Sequence, residues 1–180
     1  MTCIVGLVEG DTVYIGGDSA GVAGYSLVVR ADEKAFRNGP MLFGFTSSFR
    51  MGQLLRYAFN PPEYDDRKDL YGYMVTTFVD AVRDCLKAGG YAKKQSDQEE
   101  GGTFLVGFRG ELFVVEGDYQ VGRARDGYYA VGCGAEIALG SLHATAGYFP
   151  PLKRAEVALQ AAERFSAGVR GPFVIEELSR

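Results

Sequence analysis

Histidine is nearly missing: His143 is the single one among 180 residues. One imidazole cannot build a His-rich metal site and leaves at most one partner for a Ser-His or Cys-His pair. Cysteine is scarce as well. Cys3, Cys85 and Cys133 are odd in number and show no CxxC spacing, so neither a disulfide framework nor a zinc site is expected, and free thiols suit a reducing compartment. No apolar run approaches the roughly 18 residues a membrane-spanning helix needs; the longest, such as Val75–Val82, are broken by Thr or Asp. Positive charge is not in excess. Nineteen Lys+Arg against 23 Asp+Glu leave a net charge of −4, which argues against nucleic acid as the main partner. The start, Met1-Thr2-Cys3-Ile4-Val5-Gly6, lacks the basic residues of a secretory signal, and Glu9-Gly10-Asp11 follows at once. A cytoplasmic protein is the expectation.

What is present reads as an ordinary folded domain. Hydrophobic residues make up 47% and charged residues 23% of the chain, close to the globular average, and the length predicts one domain over 1–180. Apolar, β-branched stretches at Cys3–Val8 and Thr12–Ile15 flank a Gly10-Asp11 turn and predict a hairpin. Further strands are expected at Tyr25–Arg30 and Pro40–Phe45, with Gly21–Gly24 breaking the pattern before them. Helical spacing then covers Phe49–Phe59, ended by Pro61-Pro62, and Asp66–Lys87, with Asp65-Asp66 as its N-terminal cap. The polar segment Lys93–Glu100 reads as a surface loop. Strands at Thr103–Phe108, Glu111–Glu116, Tyr119–Gly122 and Tyr128–Val131 come next, then helices at Ala135–Ala146 and Lys153–Ala167, and a final strand at Pro172–Leu178. Helices arrive in pairs without long βαβ alternation, so a Rossmann-type parallel sheet is not expected. The predicted class is α+β: a four-layer αββα sandwich of two antiparallel sheets between helix pairs.

The chemistry starts at Thr2. Removal of the initiator Met1 would expose a hydroxyl beside its own α-amine, and such a pair can act as nucleophile and base together. The free α-amine has an ordinary pKa of about 7.7–8.0, close to neutral. A Met-Thr start is commonplace on its own. Asp18, after Gly16-Gly17, reads equally as an Asx turn, and Lys34 as an exposed lysine at a turn. Brought to one end of the first sheet, however, Lys34 would lower the amine's pKa by like-charge repulsion and Asp18 would orient Lys34.

The pattern Thr-x-x-Val-Gly, then Gly-Asp sixteen residues after the Thr, then Lys sixteen further on, resembles proteasome β-subunits and still more HslV, the proteolytic partner of a bacterial ATPase. Leu42-Phe43-Gly44-Phe45, Ala130-Val131-Gly132-Cys133-Gly134 and the final Phe173–Leu178 extend the resemblance over nearly the whole chain, weakest from Asn60 to Gly101. It implies the N-terminal nucleophile hydrolase fold and a threonine-type peptidase. Thr2 would be nucleophile, its amine the general base, Lys34 and Asp18 the electrostatic pair, and the Gly44 N–H the oxyanion donor. Cys133 falls where the family has a hydroxyl that positions the terminal amine; a thiol is the weaker donor. The family's C-terminal Asp and Ser have no clear match around Arg164–Ala167, and HslV-type sodium ligands are not evident. The resemblance implies no cofactor and no metal. It implies peptide or unfolded-protein substrates, homo-oligomeric stacked rings (a dodecamer or tetradecamer) and an ATPase unfoldase as partner, with Leu42 and Thr46 beside the nucleophile. Two alternatives stay open: an inactive structural ring subunit, and an amidase of the same type acting on small amides.

The remaining candidates have simpler readings. Cys3 and Cys85 read as core, His143 as a helix-surface or interface residue, and Tyr128-Tyr129 as strand packing.

Overall fold

The computed structural model describes residues 1–91, 93–95 and 98–180, and side chains outside 92–98. Thirteen strands and five α-helices are described. β1 (Cys3–Glu9) and β2 (Thr12–Gly17) form the expected hairpin, and β12 (Tyr128–Gly132) and β13 (Val174–Ser179) flank it in a four-stranded sheet ordered β12-β1-β2-β13. The second sheet has five strands: β5 (Ala35–Asn38), β6 (Met41–Phe45), β9 (Phe104–Phe108), β10 (Glu111–Val115) and β11 (Val121–Arg123), ordered β11-β10-β9-β6-β5. Every pairing is antiparallel. β3 (Ala20–Ala23) with β4 (Ser26–Val29), and β7 (Lys93–Gln95) with β8 (Gln98–Glu100), form separate hairpins.

Period-two alternation decides what each sheet face buries. From β1, Cys3, Val5 and Leu7 turn to α4 (Ala135–Ala144) and α5 (Pro151–Phe165), against Ala138, Leu142, Ala158, Leu159 and Ala162. Ile4, on the opposite face, joins Val13 and Ile15 against Leu42, Leu105 and Leu112 of the other sheet. The far face of that sheet presents Phe36, Phe43 and Phe45 to α1 (Phe49–Tyr57) and α3 (Val79–Ala88) through Met51, Leu55, Val82 and Leu86. Small alanines on α5 let that helix approach its sheet closely, whereas the other helix layer is filled by stacked rings such as Phe36 on Phe43, 5.6 Å between centroids.

Several local expectations change. The second long helix begins at Leu70: α2 (Leu70–Tyr73) runs through a π-helical segment, Met74–Phe78, into α3. Its cap is Asp69, which accepts the Gly72 N–H at 2.6 Å. Asp65 and Asp66 instead pair with Arg67 and Arg109. The expected cap at Asp65-Asp66 is thus corrected to Asp69, the acid whose side chain reaches the N3 amide. β3 and β5 were not anticipated, being short and carrying little alternation. The polar stretch 93–100 contains the β7–β8 hairpin and lies partly outside the described residues. α5 starts at Pro151, where a missing N–H costs nothing.

Candidate active site

The β1–β2 hairpin brings both ends of its strands to one edge of the sheet, and there the three separated residues meet. β2 pairs Gly17 with Ile4, so Asp18, one residue further, lies beside Cys3 and accepts its N–H at 3.0 Å. The other carboxylate oxygen accepts the N–H groups of Ala20 (2.9 Å) and Arg170 (3.2 Å). Lys34 enters from the residue before β5. Its Nζ donates to Asp18 Oδ1 at 2.8 Å, to the Ala20 carbonyl at 2.7 Å and to Thr2 Oγ1 at 3.0 Å. An ammonium has three N–H donors, and each has an acceptor.

Burial gives this arrangement its electrostatic strength. Asp18 and Lys34 are each 1% exposed and Thr2 is 5% exposed. Burial pushes the Lys34 pKa down, and the Asp18 charge and hydrogen bond oppose that shift. The Cys3 thiol, enclosed behind Thr2, is pushed up to about 12, first by burial and then by the Asp18 charge. Cys3 is thus core and protonated at neutral pH.

Cys133 completes the Thr2 surroundings. The Thr2 N–H donates to Cys133 Sγ at 3.2 Å, and Sγ is also 3.4 Å from the Thr2 carbonyl oxygen. Ser166 Oγ donates to the same sulfur at 3.5 Å. Ser166 went unassigned in the sequence because its approach depends on the turn after α5. Gly132 makes room for Thr2 itself: its φ is +98°, and a Cβ there would collide with the Thr2 carbonyl. In the chain carrying Met1, the Thr2 hydroxyl donates to the Met1 carbonyl oxygen, and the Met1 side chain packs on Gly168 and Cys133.

Gly44 occupies a different place. It lies mid-strand in β6, opposite Leu105 of β9 and Ala35 of β5. A Cβ on it would meet Ile15 Cγ2 at 2.5 Å and Ile4 Cγ2 at 2.6 Å, so glycine here permits the two sheets to approach. The Phe45 N–H goes to Lys34 O and the Thr46 N–H to Thr103 O; alternation therefore turns the Gly44 N–H toward β9. The second residue after the strand, Ser47, opens onto the site. Ser47 has φ +66°, in a tight turn closed by Ser48 N–H to Thr46 O at 2.7 Å. No acceptor takes the Ser47 N–H among the described residues. Ser47, with Met1, Thr46, Gly132 and Cys133, lines a cleft of about 490 Å³ beside Thr2. Thr46 is at the cleft, as expected, while Leu42 is buried between the sheets.

The other singled-out residues lie apart. His143 is exposed on α4, its Nδ1 3.0 Å from Tyr128 Oη. Cys85 is half-buried on α3. Among the described residues no group of three or more His, Cys, Asp or Glu side chains could hold a metal ion, and no helix is long and apolar enough to cross a membrane.

Neither a scan against protein-family models nor a search of curated proteins gives a match. Solved structures do match. Thiobacillus denitrificans BPH superposes with a TM-score of 0.82 at 20% identity, covering 98% of this chain and 97% of that one. The same protein in complex with epoxomicin gives 0.82 at 20%, over 98% of each chain. Eukaryotic HslV from Trypanosoma brucei gives 0.71 at 20%, over 99% of each. The chain therefore has the fold of HslV/proteasome-like proteins, in keeping with the resemblance carried by its sequence.

Proposed function

We propose that the chain is a threonine-type peptidase built as a four-layer N-terminal nucleophile sandwich, with Thr2 as the nucleophile once Met1 is removed. One observation carries the reading: a buried ammonium, Lys34, donates at 3.0 Å to the Thr2 hydroxyl while Asp18 holds it at 2.8 Å. A surface threonine has no use for such an arrangement, and burying a charged pair is costly unless its hydrogen bonds are complete.

In the processed chain the α-amine takes the Thr2 Oγ proton as Oγ attacks the scissile carbonyl. Lys34 stabilises the forming alkoxide, and Asp18 fixes Lys34 in direction. The developing oxyanion needs a free, aimed N–H. The role the resemblance gives Gly44 falls instead to Ser47, whose amide lines the cleft and is unpaired among the described residues. Collapse of the intermediate breaks the C–N bond, the amine's proton leaves with the new N-terminus, and water releases the acyl group from Oγ. Cys133 and Ser166 orient the amine. By the same resemblance the subunit works in homo-oligomeric stacked rings on peptides or unfolded proteins delivered by an ATPase unfoldase. Epoxomicin binding by Thiobacillus denitrificans BPH, on the same fold, supports this reading.

The test is an intact-mass spectrum after incubation with a peptide epoxyketone, which closes a ring on the hydroxyl and the amine of an N-terminal threonine. Loss of Met1 plus a one-inhibitor adduct, absent in Thr2→Ala, is expected. A processed but unmodified chain would instead favour an inactive ring subunit, for which the weaker thiol at Cys133 supplies the motive.

A further inference from the structure

The cleft beside Thr2 carries one charged side chain. Its walls include the turn after β6 (Thr46, Ser47), the β12 end with Gly132 and Cys133, and, bonded to that turn, Thr103 with Glu116 beside it. None of the lining residues is Lys, Arg or His, and Glu116 is the one carboxylate.

Glu116 is also held in place. Its Oε2 accepts from Thr103 Oγ1 at 3.1 Å; the Thr103 N–H donates to Ser47 Oγ at 3.0 Å, and the Thr46 N–H donates to Thr103 O at 3.1 Å. The carboxylate is thus tied through Thr103 to the turn that presents the Ser47 amide. One oxygen is engaged by a single neutral hydroxyl, and an ionised carboxylate can accept about four hydrogen bonds. The spare capacity faces a cleft large enough for a long side chain.

We infer that this cleft is a specificity subsite for a cationic side chain, lysine or arginine, of the peptide held at Thr2, with Glu116 as the residue that selects it. The inference rests on the peptidase reading for its substrate. It adds which peptides are preferred. A carboxylate fixed at one wall attracts an ammonium or guanidinium, is indifferent to an apolar chain of equal length, and repels an acidic one.

The test uses the processed protein and internally quenched peptides that differ at one position, on either side of the scissile bond, in carrying Lys, norleucine or Glu. Wild type is expected to cleave the Lys peptide with a kcat/KM about threefold to fivefold above norleucine, the range of a part-exposed ion pair, and Glu last. Glu116→Gln keeps a carbonyl oxygen for Thr103 and should bring the Lys and norleucine values together; Glu116→Lys should invert the order. A Lys-over-norleucine ratio untouched by Glu116→Gln overturns the inference. Epoxyketone labelling of the same preparations separates the two readings. If Thr2 does not label, the peptidase reading fails, and the subsite is decided by the Kd of the same peptides for Thr2→Ala with and without Glu116→Gln. Equal Kd values for Lys and norleucine would sink it there too.

Discussion

Gly44→Ala separates two roles a strand glycine can have. A Cβ at that position lies 2.5 Å from Ile15 Cγ2 and 2.6 Å from Ile4 Cγ2, where ordinary contact needs about 3.5–4 Å. Both atoms belong to β-branched, fully buried side chains on neighbouring strands of the facing sheet, and these have one strongly preferred rotamer and no empty volume to turn into. The sheets must therefore part locally by about 1 Å. Overpacking of this kind costs about 1–3 kcal/mol, and the rigidity of both neighbours puts the substitution at the upper end. Urea denaturation followed by far-UV circular dichroism measures it through the shift in midpoint at constant m. The packing account expects a loss of about 2–3 kcal/mol, with epoxyketone labelling retained in the fraction that remains folded. Unchanged stability with labelling abolished would refute it and return the oxyanion role to the Gly44 amide.

Three further outcomes follow from the same geometry. Lys34→Met leaves Asp18 with the three N–H donors of Cys3, Ala20 and Arg170, so stability should fall by about 3 kcal/mol, the lower end for breaking a buried pair, while Thr2 labelling slows by about a hundredfold; unfolding curves and a labelling time course check both. The Cys3 thiol is pushed from 9.0 to about 12 on folding: between those values the folded chain holds a proton the unfolded chain has released, so stability is full below pH 9 and falls as pH rises, by up to about 1.4 kcal/mol per unit. Comparing wild type with Cys3→Ala from pH 9 to 10, below the ordinary value of Tyr73, which is also raised to about 12, isolates this thiol, because the raised Cys85 thiol and the lowered Lys34 ammonium contribute to both chains; wild type should lose stability more steeply by the stated amount. Ser47→Gly relieves a left-handed φ of 66° and keeps the amide but removes the Oγ that accepts the Thr103 N–H at 3.0 Å; the two effects offset, so thermal unfolding should show stability changed by less than about 1 kcal/mol with labelling intact.

The elements legible in the sequence were those whose side chains report on two faces or two ends at once. The β1–β2 hairpin was readable because alternation and a Gly10-Asp11 turn fix its register, and that register alone carries Asp18 to Cys3 and so to Thr2. β3 and β5 are four residues each and show no alternation to read, whereas β4 falls inside the strand expected at Tyr25–Arg30. The caps show the same limit: Asp65, Asp66 and Asp69 are chemically alike, and only the path of the chain decides which carboxylate reaches the Gly72 N–H. Gly44 was misleading for a physical reason. Glycine marks close approach, but the sequence does not say whether a substrate or a facing sheet is what approaches, and here Ile4 and Ile15 fill that space. Ser47 carries no signal in the sequence, since the role proposed for it rests on its amide and its left-handed φ rather than on its side-chain type.

Under the peptidase reading, the two halves of the Thr2 environment differ in how firmly they are built. The half that acts on the hydroxyl is complete: all three Lys34 donors are engaged and Asp18 is held by three backbone amides. The half that acts on the amine rests on a sulfur 3.2 Å from Thr2 N, itself approached by Ser166 at 3.5 Å. Sulfur accepts and donates in the same directions as a hydroxyl but more weakly, so Cys133 preserves the roles and softens the orientation. A base that must present its lone pair to Oγ loses rate when it is free to rotate, because misaligned amines do not receive the proton. Cys133 should accordingly lower the rate of attack without abolishing it, and the substrate's own binding, through the cleft that Glu116 faces, becomes the larger share of what positions the reacting carbonyl.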